Sequence, residues 1–320
     1  MNIAMTPTMK AIRFPTYGGP EVLQYEDVPR PIAGPGEVLV RIHAAGINPG
    51  DKNIRAGIAN KQFGLTIPFP FIPGNDLSGE IAAVGPEVTA FQVGDLVYGL
   101  TMNGATYAEY ATAQASQLAH KPPFMDHIQA AGVPLAALTA WQALFDHGHL
   151  EARQVVLING ASGGVGHFAV QFAKRKGARV IGVASGRNEA FLRELGVDQF
   201  IDYTATPVEK AAQNVDLVFD AVGGKHGNRL LQVLKRGGAL VPIFWGEYSV
   251  EQAAAASVTI QDIAWVQPNA AQLDEIGRLI GLEHVHIHIE TVLPLAEARK
   301  AHELIEGGQI RGKVVLRVAE

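Results

Sequence analysis

Val155-Val156-Leu157-Ile158-Asn159-Gly160-Ala161-Ser162-Gly163-Gly164-Val165-Gly166 decides how this chain is read. Four consecutive apolar residues describe a strand buried on both faces, as in a parallel sheet. Glycines follow, and then a helical pattern in which Val165, Phe168, Ala169, Phe172 and Ala173 fall on one face. Lys174, Arg175 and Lys176 occupy its last turn, where cations suit the carbonyl end of the dipole, and Gly177 supplies a left-handed stop. A strand, a glycine turn and a helix N-terminus make an anion site, because backbone N–H groups face the ligand and glycines admit a pyrophosphate close to the backbone. The spacing Gly160-x-x-Gly163-x-x-Gly166 is one residue longer than G-x-G-x-x-G between its first two glycines. Ser162, Gly163, Gly164 and Val165 are the expected contacts to the diphosphate.

The same residues fit a second motif. Gly160-Ala161-Ser162-Gly163-Gly164 matches G-x-S-x-G, the nucleophile elbow of α/β hydrolases. That reading makes Ser162 a nucleophile, with Asp220 and one of His284, His286 or His288 as its partners. The following units favour the dinucleotide site. Residues 179–183, 199–203, 215–222 and 239–245 read as strands. Between them lie a helix marked by Phe191, Leu192 and Leu195, and another over Leu230, Leu231, Val233 and Leu234 stopped by Gly237-Gly238. Repeated β-α-β units predict a parallel, doubly wound sheet of the Rossmann kind.

The end of the second of these strands selects the cofactor. An NAD site places Asp or Glu there to hold the ribose 2′-OH. Here the run is Val183-Ala184-Ser185-Gly186-Arg187-Asn188, with Ala184 where the acid would be and a hydroxyl and a guanidinium just after. A carboxylate would repel a 2′-phosphate, whereas an Arg binds it through a planar fork. Ser185 and Arg187 therefore point to NADPH.

The chain has 320 residues, enough for about two domains. It is 48% hydrophobic and 18% charged, carries a formal net charge of −5 and has no block of like charge, so nucleic-acid and anionic-membrane binding are not indicated. With no Cys, disulfides, thiolate zinc sites and a Cys nucleophile are excluded together. No apolar run reaches membrane-span length, and the expectation is a cytoplasmic protein.

The first third is different. Residues 10–14, 22–25, 38–42, 79–84 and 95–100 read as short strands separated by turns such as Gly18-Gly19-Pro20 and Gly85-Pro86, which describes a small β domain. Within it, Gly36-Glu37-Val38-Leu39-Val40-Arg41-Ile42, Ala45-Gly46-Ile47-Asn48-Pro49-Gly50-Asp51, Pro73-Gly74-Asn75-Asp76 and Val93-Gly94-Asp95-Leu96-Val97-Tyr98-Gly99 follow in order. This series, from Lys10 to Val318, resembles the medium-chain dehydrogenase/reductase superfamily, in its zinc-independent quinone oxidoreductase and alkenal/enone reductase branch.

The resemblance implies a Rossmann NADPH-binding domain over 126–261, inserted into a GroES-like catalytic domain over 1–125 and 262–320. Zinc enzymes of that superfamily bind metal through a Cys and a Gly-His-Glu motif; Asn48 and Gly74-Asn75-Asp76 stand at those positions, so a metal-free enzyme is expected. The resemblance makes Asn48 and Lys52 the catalytic candidates, Asn48 also touching the cofactor. Relatives carry Asp-x-Lys where this chain has Asp51-Lys52-Asn53, and Lys52 otherwise reads as a solvated surface residue. Thr139 would lie near nicotinamide and Tyr203 beside the 2′-phosphate. Val222, Ile243 and Phe244 would border the cofactor, with Arg311 or Lys313 reaching its phosphates. Residues 257–266 read as an edge strand that pairs across a homodimer. His284, His286 and His288 read as one solvated face of a strand. The implied reaction is hydride transfer from NADPH to a quinone or to the C=C bond of an enone or enal. A non-catalytic, crystallin-like NADPH-binding protein and the Ser162 hydrolase are the alternatives.

Overall fold

The computed structural model describes residues 7–102, 104–308 and 310–319. The chain divides into two compact units: residues 1–135, 268–281 and 289–320 form the first, and residues 136–267 and 282–288 the second. Among the described residues no helix is long and apolar enough to cross a membrane.

The first unit opens with β1 (Thr8–Arg13) and β2 (Gln24–Pro29), paired antiparallel. The long strand β3 (Glu37–Ile47) follows, with Val38, Val40 and Ile42 wholly buried while Arg41 faces solvent. Asn48 ends it and Pro49 starts α1 (Pro49–Arg55), where a missing N–H costs nothing. Next come α2 (Ile58–Phe63), β4 (Asp76–Val84), β5 (Leu96–Leu100), β6 (Tyr110–Gln114), β7 (Leu118–His120) and α3 (His127–Ala131), and then α4 (Pro134–Trp141), most of which belongs to the second unit.

The second unit alternates strand and helix: β8 (Val155–Asn159), α5 (Gly166–Lys176), β9 (Arg179–Ala184), α6 (Glu189–Glu194), β10 (Gln199–Asp202), α7 (Val208–Ala211), β11 (Val215–Asp220), α8 (Gly227–Leu231), β12 (Leu234–Pro242), α9 (Val250–Ala256) and β13 (Thr259–Ile260). All pairings are parallel, in the order β10-β9-β8-β11-β12-β13. This is the doubly wound arrangement, whose order reverses between β8 and β11. Val156, Leu157 and Ile158 of β8 are wholly buried, as strands covered on both faces must be. The register sets Asn159 beside Val183 and Asp220, Ala184 beside Asp202, and Asp220 beside Pro242, so the carboxyl ends share one edge.

The chain then contributes α10 (Ala270–Gly281), β14 (Ile289–Pro294), α11 (Ala298–Glu306) and β15 (Lys313–Arg317) to the first unit. Its sheet runs β14-β15-β3-β4-β5-β7, with β6 also on β3. β15 lies antiparallel to the last residues of β3, Val314 opposite Ile47. A core of Ile12, Phe14, Ala45, Tyr107, Ala298 and Leu316 packs beneath.

Three local expectations fail for physical reasons. The helix read through Leu234 ends at Leu231, and Gly237-Gly238 lie inside β12. There Gly237 takes a φ of 77° and the register with β11 slips, so the glycines bend a strand instead of stopping a helix. The strand read over 257–266 is only Thr259–Ile260, since single bonds from the Gln261 and Ala264 N–H groups replace a ladder. His284, His286 and His288 precede β14 and share no strand face. The Gln171 side chain satisfies the His286 backbone there, accepting its N–H at 2.7 Å and donating to its carbonyl at 3.0 Å. α3 and α4 are separate helices, and a wide π turn over Gln142–His147 follows α4.

Candidate functional site

In the second unit, Gly160 turns the chain out of β8 with a φ of 80°, and the Gly160 and Ala161 N–H groups donate to Val183 O at 3.1 and 3.0 Å. Gly166 and Gly163 then play opposite parts. A Cβ on Gly166 would stand 2.1 Å from Gly160 O, so α5 can start this close to the turn only with glycine there. A Cβ on Gly163 would meet nothing nearer than Gly160 O at 3.4 Å. Room is left over this turn, Ser162 to Val165 are half-buried, and α5 behind them is 11 residues long. An N-terminal turn of that kind fits a diphosphate.

Beside it, β9 ends in buried Ala184. Ser185 accepts a hydrogen bond from Asn188 Nδ2 at 3.1 Å, and Arg187 is exposed. On β10, the Thr204 hydroxyl and N–H donate to Asp202 at 2.7 and 2.9 Å, holding its carboxyl below the usual carboxylate range with help from the Gly186 N–H. Tyr203 is exposed, and Val222 and Phe244 are 54% and 40% exposed at the ends of β11 and β12, with Ile243 half-buried. Thr139 is buried on α4.

Sequence reasoning named Asp220 only as a hydrolase acid and missed its part in shaping this edge. Asp220 is buried, and its Oδ1 accepts from Asn159 Nδ2 at 2.9 Å, Val222 N–H at 2.9 Å and Gly223 N–H at 3.1 Å. Its Oδ2 accepts the Tyr248 hydroxyl at 2.8 Å, and burial and this carboxylate push the Tyr248 phenol upward. Trp245, 53% exposed, was missed as well. An acid closing an apolar run was the available signal for Asp220; Tyr248 offered none.

Asp220, His284 and His286 do not assemble a hydrolase constellation with Ser162. Asp220 is spent on these four donors, and the His286 backbone is held by Gln171. His284 and His286 line a hollow with Lys174 and Arg175 in the last turns of α5. Ser162 precedes the other end of that helix, roughly 16 Å away along its axis.

In the first unit the corner around Asn48 is a closed polar knot. Asn48 N–H donates to Asp51 Oδ2 and Asn48 Nδ2 to Asp76 Oδ2, both at 2.9 Å. Asp76 Oδ1 accepts the Leu135 N–H at 2.7 Å. Lys313, only 3% exposed, donates to Ile47 O at 3.0 Å, to Asn48 Oδ1, and to Asp76 Oδ2 at 3.4 Å. This corrects the expectation for Lys313: its ammonium is enclosed by three acceptors of its own unit and is not offered to a phosphate. Lys52 is half-exposed on α1, and its ammonium has no partner among the described residues. Asp51 is buried, takes the Tyr107 hydroxyl on Oδ2 at 2.8 Å, and is pushed up to about 7 by burial.

The residues at the superfamily's metal position do not fit a divalent cation. Asn75 Nδ2 donates to Thr101 O at 2.6 Å, and the acceptors of Asn48 and Asp76 face the Lys313 ammonium. A second cation among them would face that charge at close range, with no thiolate or imidazole to offset it. Among the described residues no group of three His, Cys, Asp or Glu could hold a metal.

A family model described as "Alcohol dehydrogenase GroES-like domain" matches residues 34–123, and one described as "Zinc-binding dehydrogenase" matches residues 195–316. "NAD(P)H oxidoreductase RTN4IP1, mitochondrial" of Danio rerio is 33% identical over 362 aligned positions, covering 100% of this chain and 94% of the relative. "Quinone-oxidoreductase homolog, chloroplastic" of Spinacia oleracea is 30% identical, over 96% and 98% of the two chains. The solved quinone oxidoreductase from Coxiella burnetii superposes with a TM-score of 0.89 at 36% identity, over 98% of this chain and 100% of that one. With a doubly wound parallel sheet, a GroES-like unit and relatives matched end to end, the chain belongs to the NAD(P)H:quinone oxidoreductases of the medium-chain dehydrogenase/reductase superfamily, in the zinc-independent branch.

Proposed function

We propose that the protein is an NADPH-dependent, zinc-independent reductase of quinones or of the C=C bond of α,β-unsaturated carbonyl compounds, working in the cytoplasm as a homodimer. The observation that carries the reading is the strand-end edge of the second unit: an open first turn on α5 beside a β9 that ends in Ala184, with Ser185 and Arg187 following. Ser162 to Val165 hold the diphosphate, Ser185, Arg187 and Tyr203 the 2′-phosphate, Thr139 lies near the nicotinamide end, and Val222, Ile243 and Phe244 border the cofactor. The homodimer rests on the family resemblance and not on β13, whose two residues offer little edge for pairing.

Bound NADPH would supply hydride chemistry. The chain's own residues orient it and stabilise the charge that develops on the acceptor's carbonyl oxygen. An amide nitrogen carries two N–H groups, and the bond to Asp76 uses one of those on Asn48; the second is the donor to that oxygen. Lys52 adds a mobile positive charge on the next turn of α1. With no Tyr or His assigned as acid here, the proton comes from solvent.

The test follows NADPH and NADH oxidation against a short enone, a long-chain alkenal and a quinone. Turnover of NADPH with any of them supports the reading, and equal use of NADH removes Arg187 from it. NADPH binding without turnover of any acceptor would turn the assignment to a non-catalytic binding protein.

A further inference from the structure

We propose that Lys313 is a positioning residue whose buried ammonium locks and polarises the Asn48 amide. The inference rests on the reading that Asn48 donates to the acceptor's oxygen.

An ammonium has three N–H groups, and here it has three acceptors: Ile47 O, Asn48 Oδ1 and Asp76 Oδ2. Stability alone does not select this arrangement. Taking an ion pair out of water is costly, and well-packed apolar side chains in its place are often neutral or stabilising. Lys313 opens β15, Asp76 opens β4 and Asn48 follows β3, so one cation ties the ends of three strands of the same sheet to the start of α1.

The arrangement leaves Asn48 no freedom. Its oxygen faces the ammonium and its nitrogen faces Asp76, so the amide cannot flip, and its backbone N–H is held by Asp51. A cation on the amide oxygen draws electron density from the nitrogen, and the remaining N–H becomes a stronger donor. Asp76 balances the charge, so the strengthening does not leave an unpaired ion in the core. Lys52 has no such anchorage and cannot take over this role.

The test removes the charges and keeps the volume. Lys313→Met with Asp76→Asn is compared with wild type for melting temperature, NADPH dissociation constant and steady-state kinetics. The expected result is a folded protein with an NADPH dissociation constant within about twofold of wild type and a kcat lowered about 10- to 100-fold. A folded double variant with wild-type kcat overturns the inference and leaves Lys313 a strut. Should that variant fail to fold, the decision passes to Lys313→Ala titrated with propylammonium, which replaces the missing segment. A saturable recovery of kcat at unchanged NADPH affinity supports positioning; recovery of melting temperature without kcat, or no recovery at all, overturns it. A wild-type protein that turns over no acceptor would sink the proposed reduction, and this inference with it, whereas an active wild type and an equally active double variant sink only the inference.

Discussion

Asp51 is buried, accepts the Asn48 N–H and the Tyr107 hydroxyl through Oδ2, and keeps Oδ1 buried without a partner among the described residues. Burial outweighs both hydrogen bonds, and the carboxyl rises from 3.8 to about 7. The native chain therefore holds a proton that the unfolded chain releases above about pH 4. Its contribution to stability falls as pH rises from about 4 to about 7, by at most about 4 kcal/mol, and stays at the lower level above that. His302 acts oppositely. Burial beside Arg55 pushes it down to about 3, so the unfolded chain gains a proton below 6.5 that the native chain refuses. Comparing Asp51→Asn with wild type cancels the histidine. Between pH 4.5 and 8, the wild-type melting temperature is expected to fall relative to the variant by roughly 5 °C, and parallel profiles would mean that Asp51 is ionised in the native state. The sequence displayed this corner as a motif, because Asn48, Asp51 and Lys52 are neighbours in the chain. It did not display Lys313, whose acceptors at Ile47 and Asp76 lie 266 and 237 residues away.

Among elements, the turn from β8 into α5 carries the clearest division of labour. Gly166 serves packing, since its Cβ would collide with Gly160 O; at Gly163 a Cβ would point into room left over the turn, where the proposed diphosphate would approach. Gly166→Ala is expected to lose stability, by about 1–3 kcal/mol for overpacking. Gly163→Ala is expected to melt close to wild type while its NADPH dissociation constant rises about tenfold or more, as a methyl group stands where the diphosphate approaches. Equal effects of the two substitutions on melting and on binding would contradict the division. This element was legible because strand, glycines and helix are local and the burial of β8 on both faces writes itself as an unbroken apolar run. β12 was not. Gly237-Gly238 carry the same letters as a helix stop, and only pairing with β11 shows them to be a bend within a strand. The histidines before β14 misled for a related reason: a side chain, Gln171, takes the place of a neighbouring strand.

For the whole molecule, the β-α-β units return the chain to a parallel neighbour except between β10 and β11, where it crosses to the other side of β8 and the order β10-β9-β8-β11-β12-β13 reverses. The share of the first unit built by β14 and β15 was implied by the family resemblance and not by local pattern, since it depends on β15 pairing with β3 across most of the chain. Cofactor choice is read best at this scale, because a ligand that binds only the folded chain stabilises all that unfolds with it. At about 100 times its dissociation constant, NADPH adds about 2.7 kcal/mol. At about 1.5 °C per kcal/mol for a protein of this size, the melting temperature rises by roughly 4 °C. NADH at the same concentration is expected to give a much smaller rise, because it lacks the 2′-phosphate that Arg187, Ser185 and Tyr203 would hold while Ala184 gives its ribose no carboxylate. Arg187→Ala should then bring the NADPH rise down toward that of NADH and leave the ligand-free melting temperature unchanged, since the residue is exposed. If the two cofactors stabilise wild type equally, the arginine does not read the phosphate; if they differ but Arg187→Ala keeps the difference, the phosphate is held by Ser185 and Tyr203.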